Sequence, residues 1–431
     1  MRKHQETIMS VPTIGGPHYQ IGVQEFEDFV ATQFGKVDLA GKSLVLIIPD
    51  DTRGCPMPRI LRAVYKSVIN RAASVTAVIA LGTHEYMEPE EIAYWTAGSR
   101  EADLAAEYPG MPIINHLWKD HDELVSVGQI SAARIKELSG GRLEKGVDVQ
   151  INKTVVEADV KIILGPILPH EVVGISGGNK YFIPGSAAHE LIDMTHWVGA
   201  LITSAKMIGT PGITPVRAMI NEGANMVPGE KYCLAFVVKA YSDQLESASF
   251  GSPEDAWAQQ AKVTAQTHIE YVEEAFPNVI SEIPLRYHDI WTAAKGFYKT
   301  EPAVADGGEV ILYAPHISEV SQAHPEIYEI GYHCRDYYVK QWDKFSHVPW
   351  GVLAHSTHAR GAGTYDPETG VEECRLTLTF ATQIPPDVCE SINVKYRDPA
   401  TIPALMNDPK YHVIKDAGEV LFRLESERPT D

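Results

Sequence analysis

Residues 43–49 read Ser-Leu-Val-Leu-Ile-Ile-Pro and run straight into Asp50-Asp51-Thr52-Arg53. An apolar run of this length, ending on polar residues, is the pattern of a strand covered on both faces, as in a parallel sheet. Two other stretches repeat it. Val75–Gly82 (VTAVIALG) leads into Thr83-His84, and Ala158–Leu168 (ADVKIILGPIL) leads into Pro169-His170. After the first run, Arg59–Ala73 carries apolar residues at helical spacing, with Pro58 at its start. The alternation predicts βαβ units, a doubly wound sheet and an α/β fold.

Further along, Trp257–Phe276 reads as a long helix, and Asn278–Pro284 changes the texture enough to mark a domain boundary. Val310–Ala314 and Leu376–Ala381 are strand candidates beyond it, and Tyr411–Leu424 reads as a short element packing back on the body. The expected division is a first domain over 1–277, a second α/β domain over 278–404, and a tail, 405–431, returning to the first. A chain of 431 residues has room for two or three such units.

Composition excludes several classes. Apolar residues at 44% and charged residues at 22% are globular values. With 57 acidic against 37 basic residues, the formal charge of −20 argues against nucleic acid or an anionic membrane as partner. The apolar runs are strand-sized and far short of a membrane span. Five cysteines without a CxxC pair argue against a disulfide framework or a cysteine-rich zinc site. The N-terminus lacks the apolar stretch of a signal peptide, so a soluble cytoplasmic protein is expected.

Two nucleotide motifs fail. Gly35 and Gly41-Lys42-Ser43 have five residues between the glycines where a phosphate loop needs four, and they precede a strand where the loop must follow one. Gly174-Ile-Ser-Gly177-Gly178 is not GxGxxG. His355-Ser-Thr-His358, with His347, lacks a carboxylate at telling spacing and reads as surface or partner-binding histidines rather than a metal cluster.

What remains lies at strand ends, where open α/β sheets bind ligands. Arg53 offers a planar fork of donors, suited to phosphate or carboxylate, or else simply pairs with an aspartate in a turn. His84 is of general-base type, or caps the helix expected near Glu88–Glu91. The richest stretch runs from His170 through Gly177-Gly178-Asn179-Lys180 to Pro184-Gly185. Its glycines permit close backbone approach to a ligand. Its lysine suits an anion or a covalent bond when desolvated. His189 and His196, seven apart, share a face if helical, and imidazole is a good ligand for nickel, copper or zinc.

Together these residues resemble the nickel-dependent lactate racemase family. The matching pieces are Asp50-x-Thr52-Arg53-x-x-Pro56, Gly82-Thr83-His84, His170 with Lys180 ten residues on, Ser-Gly-Gly-x-Lys-x-x-x-Pro-Gly around Lys180, and His196 sixteen further. Lys295-Gly296, followed by Gly307-Gly308 and a strand, resembles the family's second domain. The resemblance implies two Rossmann-like domains with the active site in the cleft between them. It implies a nickel-pincer cofactor, pyridinium-3,5-bisthiocarboxylic acid mononucleotide, attached at Lys180 and made by dedicated biosynthesis proteins. His196 would be the protein's nickel ligand, and His84 and His170 the acid–base pair. Lys295 would meet the substrate. Asp50, Thr52, Arg53, Gly177 and Gly178 would line the cofactor side. The implied reaction is inversion at C2 of a 2-hydroxy acid by hydride transfer.

Two features depart from the family's lactate enzymes. Trp291 and Thr292 stand where those carry Tyr-Gln, and the stretch between His84 and His170 is longer. Residues 333–360, with His333, Arg335, Tyr337, Tyr338, Trp342 and His347, suit a polyhydroxylated acid such as gluconate, or form an ordinary exposed loop. Lactate or malate, net oxidoreduction on the same scaffold, and a nickel or cofactor carrier are the competing readings. The sequence sets no oligomeric state.

Overall fold

A computed structural model describes residues 11–82 and 84–428. Thr83, part of one matching motif, lies outside the described residues, as do 1–10 and 429–431. The fold is α/β and is built on two sheets. The larger has seven strands, in spatial order Thr13–Gly15, Leu245–Gly251, Glu230–Val238, Val160–Pro166, Ser43–Pro49, Ser74–Ala80 and Ile113–Asn115. From Glu230–Val238 to Ile113–Asn115 all neighbours are parallel. Leu245–Gly251 runs antiparallel beside them. The three runs read as doubly covered strands do bury both faces: Val45 and Ile47 join one core, and Leu44, Leu46 and Ile48 the other.

The second sheet has five strands, all parallel, in the order Lys395–Tyr396, Thr377–Thr382, Val304–Ala314, Phe276–Glu282 and Tyr411–Ile414. Three stretches differ from the sequence reading. The long helix ends at Thr267 and occupies Pro253–Thr267, because Ile269-Glu-Tyr-Val272 alternates side chains at strand period and forms a strand. The boundary at 277/278 falls inside Phe276–Glu282, which belongs wholly to the second sheet. The tail also divides. Tyr411–Ile414 becomes an edge strand of the second sheet, while Leu421–Leu424 pairs with Ile269–Val272. Leu421 and Phe422 are apolar and bury in the core beneath the second sheet, together with Ile208 and Ile269. The helix after the first strand is Met57–Val68, with Pro58 in its first turn as expected.

The glycine-rich stretch is held from beneath. Arg217, fully buried, donates to the carbonyls of Gly177 and Ile175 and lies 4.4 Å over the ring of Trp257. Trp257 Nε1 donates to the carbonyl of Ser176 at 2.9 Å. Gly178 has φ +57°, and a Cβ there would stand 2.9 Å from Trp257 Cβ and 3.0 Å from the Pro253 carbonyl. Gly178→Ala therefore costs about 1–3 kcal/mol in backbone strain and displaces Trp257. Urea denaturation should show a lowered midpoint; an unchanged midpoint would mean the loop accepts a side chain and that the close packing carries no weight.

Candidate functional site

Adjacent parallel strands end side by side, and their carboxyl ends present the polar residues. Asp50 follows Ser43–Pro49, His84 follows Ser74–Ala80, and His170 follows Val160–Pro166. Lys180 sits in a short 3₁₀ turn, Gly178–Tyr181, and His196 on the helix His189–Ile202. Lys295 arrives from the other sheet, on the connection after Phe276–Glu282. Asp50, Thr52, Arg53, His84, His170, Gly177, Lys180, His196 and Lys295 all line one cavity of about 350 Å³. Gly178 does not; it faces Trp257, so its conformation is needed for packing under the loop rather than for ligand contact.

The three cavity histidines His84, His170 and His196 differ in their hydrogen bonds, and this sets what each ring can do. Nδ1 of His84 is 2.5 Å from Asp50 Oδ2. A carboxylate there accepts, so Nδ1 carries the proton and Nε2 is left as a base. Asp50 is buried, which opposes ionisation. His84, Arg53 and Thr52, whose hydroxyl donates to it at 2.6 Å, outweigh this and hold the carboxyl well below its usual range. His170 is reversed: its Nδ1 accepts the N–H of Val172 at 3.1 Å, so in the neutral ring Nε2 carries the proton. Burial, then the charges of Lys180 and Arg53, keep His170 neutral by lowering its pKa strongly. His196 donates Nδ1–H to the carbonyl of Ile192 at 2.8 Å, which leaves the Nε2 lone pair for a metal. Burial lowers its pKa to about 4, so the lone pair stays free of a proton at neutral pH.

The cleft is also rich in cations. Burial first, and Arg53 next, lower Lys180 to about 7 and Lys295 to about 7. Burial lowers Lys299 to about 8. Among the described residues, no carboxylate oxygen lies within 4.0 Å of Arg53, Lys180, Lys295 or Lys299. The Lys295 ammonium instead lies 4.7 Å over the Tyr287 ring. A cleft of this kind favours a phosphate and a carboxylate.

Comparison with known proteins follows the same lines. Residues 30–209 match the lactate racemase N-terminal domain. The lactate racemase of Thermoanaerobacterium thermosaccharolyticum is 27% identical over 283 residues, covering 63% of this chain and 60% of that protein. The lactate racemase of Lactiplantibacillus plantarum is 25% identical over 285 residues, with the same coverage of 63% and 60%.

Over residues 30–209 the chain is similar to the lactate racemase family.

The match spans 60% of the length of each of these curated relatives. The fold extends further. A crystal structure of a Thermotoga maritima protein superposes with TM-score 0.85 at 28% identity, covering 96% of this chain and 100% of that one. The lactate racemase apoprotein of T. thermosaccharolyticum superposes with TM-score 0.71 at 19% identity, again covering 96% and 100%, which speaks for the fold alone.

The cavity lining differs from the sequence expectation at several residues. His355 and His358, expected as surface or partner-binding histidines, are instead buried on the helix Trp350–Arg360 and line the cavity. The six residues of 333–360 singled out for substrate do not line it. His333 is held by Glu372, Arg335 donates to the Leu201 carbonyl, and the Tyr338 hydroxyl bonds Ser356. Tyr337 stacks on His333, Trp342 stacks on Trp197, and His347 is exposed. The segment folds mostly into helices, so its polar groups serve packing. Lys299, Glu171 and Glu419 also line the cavity without a motif to mark them; the one signal in the sequence is that Lys295 and Lys299 stand four apart, the spacing of one helix face.

Buried imidazoles have a consequence for stability. Burial lowers His116 to about 4, His196 to about 4, His268 to about 3, His324 to about 4 and His358 to about 3, from an ordinary 6.5. Below pH 6.5 the unfolded chain takes up protons that the folded chain refuses, so this stability is present above 6.5 and is lost as pH falls toward 4. Urea midpoints should drop between pH 7 and pH 5; equal midpoints would contradict the buried, neutral state of these rings.

Proposed function

We propose that this protein is a racemase or epimerase that inverts C2 of a 2-hydroxy acid, using a nickel-pincer nucleotide joined to Lys180. The observation that carries the reading is the contrast in Nδ1 partners of two cavity histidines: Asp50 Oδ2 for His84, which leaves Nε2 free, and the Val172 N–H for His170, which favours Nε2–H. The residues fit the cofactor. An amine titrating near 7 is a usable nucleophile at neutral pH, as attachment through nitrogen requires. His196 offers an unprotonated Nε2, and Arg53 and Gly177 border the same space. The chemistry supplied by that group, when bound, is reversible hydride exchange with C2 of the substrate.

The chain's own residues do the rest. His84 takes the hydroxyl proton at Nε2, while Asp50 holds the imidazole in the needed tautomer and steadies its charge. His170 faces the same hydroxyl position from the side needed for the other enantiomer; its Nε2–H hydrogen-bonds the oxygen, and the ring takes the hydroxyl proton there only in its other tautomer. Lys295 receives the substrate carboxylate, with Lys299 behind it. The two sheets act as two Rossmann-like domains that close over the cleft and exclude water. Five free cysteines suit a protein of the reducing cytoplasm. Proteins that make the cofactor would be its partners.

For the substrate, we favour a sugar acid such as gluconate, with lactate and malate as shorter readings. The support is the wall beyond the acid–base pair. Trp291 is sandwiched between His324 at 4.1 Å and His355 at 3.8 Å, and Thr292, His189, Asp193 and His358 extend a polar lining.

Produced with nickel and the cofactor-making proteins, the wild type should gain a covalent mass adduct that Lys180→Ala lacks. A wild type without an adduct would remove the cofactor from the proposal. With the adduct in place, 2-hydroxy acids deuterated at C2 should invert in ordinary water and keep the deuterium. His84→Asn and His170→Asn should each slow inversion by roughly 10²–10⁴-fold. Failure to invert any 2-hydroxy acid would refute the racemase reading.

A further inference from the structure

A second group of donors lies outside the cavity and is not used by the chemistry above. Cys334, Glu372 and Cys374 each bring one ligand-type atom to within 4.8 Å of the others. Cys334 is buried and immediately precedes the helix Arg335–Val339. Glu372 and Cys374 stand two apart on the strand Val371–Cys374, so both project to one face. That strand pairs with Gly363–Asp366, which puts Gly363 opposite Cys374. A Cβ on Gly363 would come 2.9 Å from Cys334 Cβ and 3.1 Å from Cys374 Cα, so glycine is what lets the two cysteines approach.

The carboxylate between them is held at both ends. One oxygen accepts the backbone N–H of Cys334 at 2.7 Å and lies 3.5 Å from Cys374 Sγ. The other lies 2.7 Å from His333 Nδ1 and accepts from Asn393 Nδ2 at 2.9 Å. The His333 ring is fixed in turn by stacking on Tyr337 at 3.6 Å. A donor atom aimed at two sulfurs and oriented by outer hydrogen bonds is the arrangement of a ligating carboxylate with its supporting shell.

We propose that Cys334, Cys374 and Glu372 form a metal site for a borderline-soft divalent cation of the zinc class, with water completing the coordination. Two thiolates and one carboxylate are a donor set that zinc takes and that magnesium or calcium does not. The two thiol protons pass to solvent when the ion binds, and no electron is transferred. The bound ion staples the hairpin over 363–374 to the turn before Arg335. From there the backbone N–H of His333 reaches Ser356 Oγ at 3.0 Å, on the helix that carries His355 and His358 into the cavity. The ion thus braces one wall of the cavity without touching the reacting groups, and it does not depend on the function proposed above.

Cobalt is the probe. The full-length protein is purified under reductant without oxygen, stripped with chelator and titrated with Co²⁺. One ion per chain should bind with thiolate-to-cobalt charge-transfer bands, and Zn²⁺ should displace it. The bands should persist in His196→Ala and vanish in Cys334→Ser and Cys374→Ser, while His333→Ala should weaken binding by roughly 10–100-fold. Should the serine variants not fold, alkylation of wild-type Cys334 and Cys374, read by peptide mass, should slow when Zn²⁺ is added. Absence of the bands in the wild type, their persistence in both folded serine variants, alkylation rates indifferent to zinc, or a Cys334–Cys374 disulfide that survives reductant would each overturn the proposal.

Discussion

Burying ammonium groups beside a guanidinium is unfavourable, and this chain does so at one place. Arg53, Lys180, Lys295 and Lys299 converge on the cleft without a carboxylate in contact among the described residues. The depressed pKa values of the three lysines are the direct expression of that cost. An anionic ligand offsets it, and until one binds the arrangement must be held by the rest of the structure. The holding is done by two parallel sheets with buried faces, and by Arg217 and Trp257 bracing the glycine loop from beneath. The acidic balance of the whole chain, −20, is consistent with this, because that charge is spread over the chain while the cleft itself is locally basic.

The neutral histidines follow from the same constraint. Burial disfavours a protonated imidazole first of all, and nearby positive charge (Lys180 for both rings, Arg53 also for His170) adds to it, so His170 and His196 stay neutral and retain a lone pair. His84 differs because Asp50 stands directly behind it. One aspartate at the end of one strand thus separates the roles of two otherwise similar rings.

Much of this was legible along the chain. The runs at 43–49, 75–82 and 158–168 could be read as covered strands because almost every position is apolar, and strands of that kind fix where the polar residues that follow must sit. Lys180 and His196 could be placed by spacing to each other, since one turn and one helix carry both. What could not be read were contacts between distant segments. His355 and His358 look like any surface pair until the helix Trp350–Arg360 is packed against His189–Ile202. The helix end at Thr267 was overrun because Trp257–Phe276 continues polar and apolar residues at helical spacing. The two-stranded pairing with Leu421–Leu424, which claims Ile269–Val272, lies about a third of the chain away.

The sequence by itself determined the α/β class and which polar side chains follow the covered strands of the first sheet, because period and spacing are local properties. Only the tertiary structure decided the tautomers of the three histidines, the joining of Lys295 to the site from the other sheet, and the meeting of Cys334 with Glu372 and Cys374. Each of these depends on a hydrogen bond, a buried charge or an approach between residues far apart in the chain, and such energies exist only once the two sheets are packed.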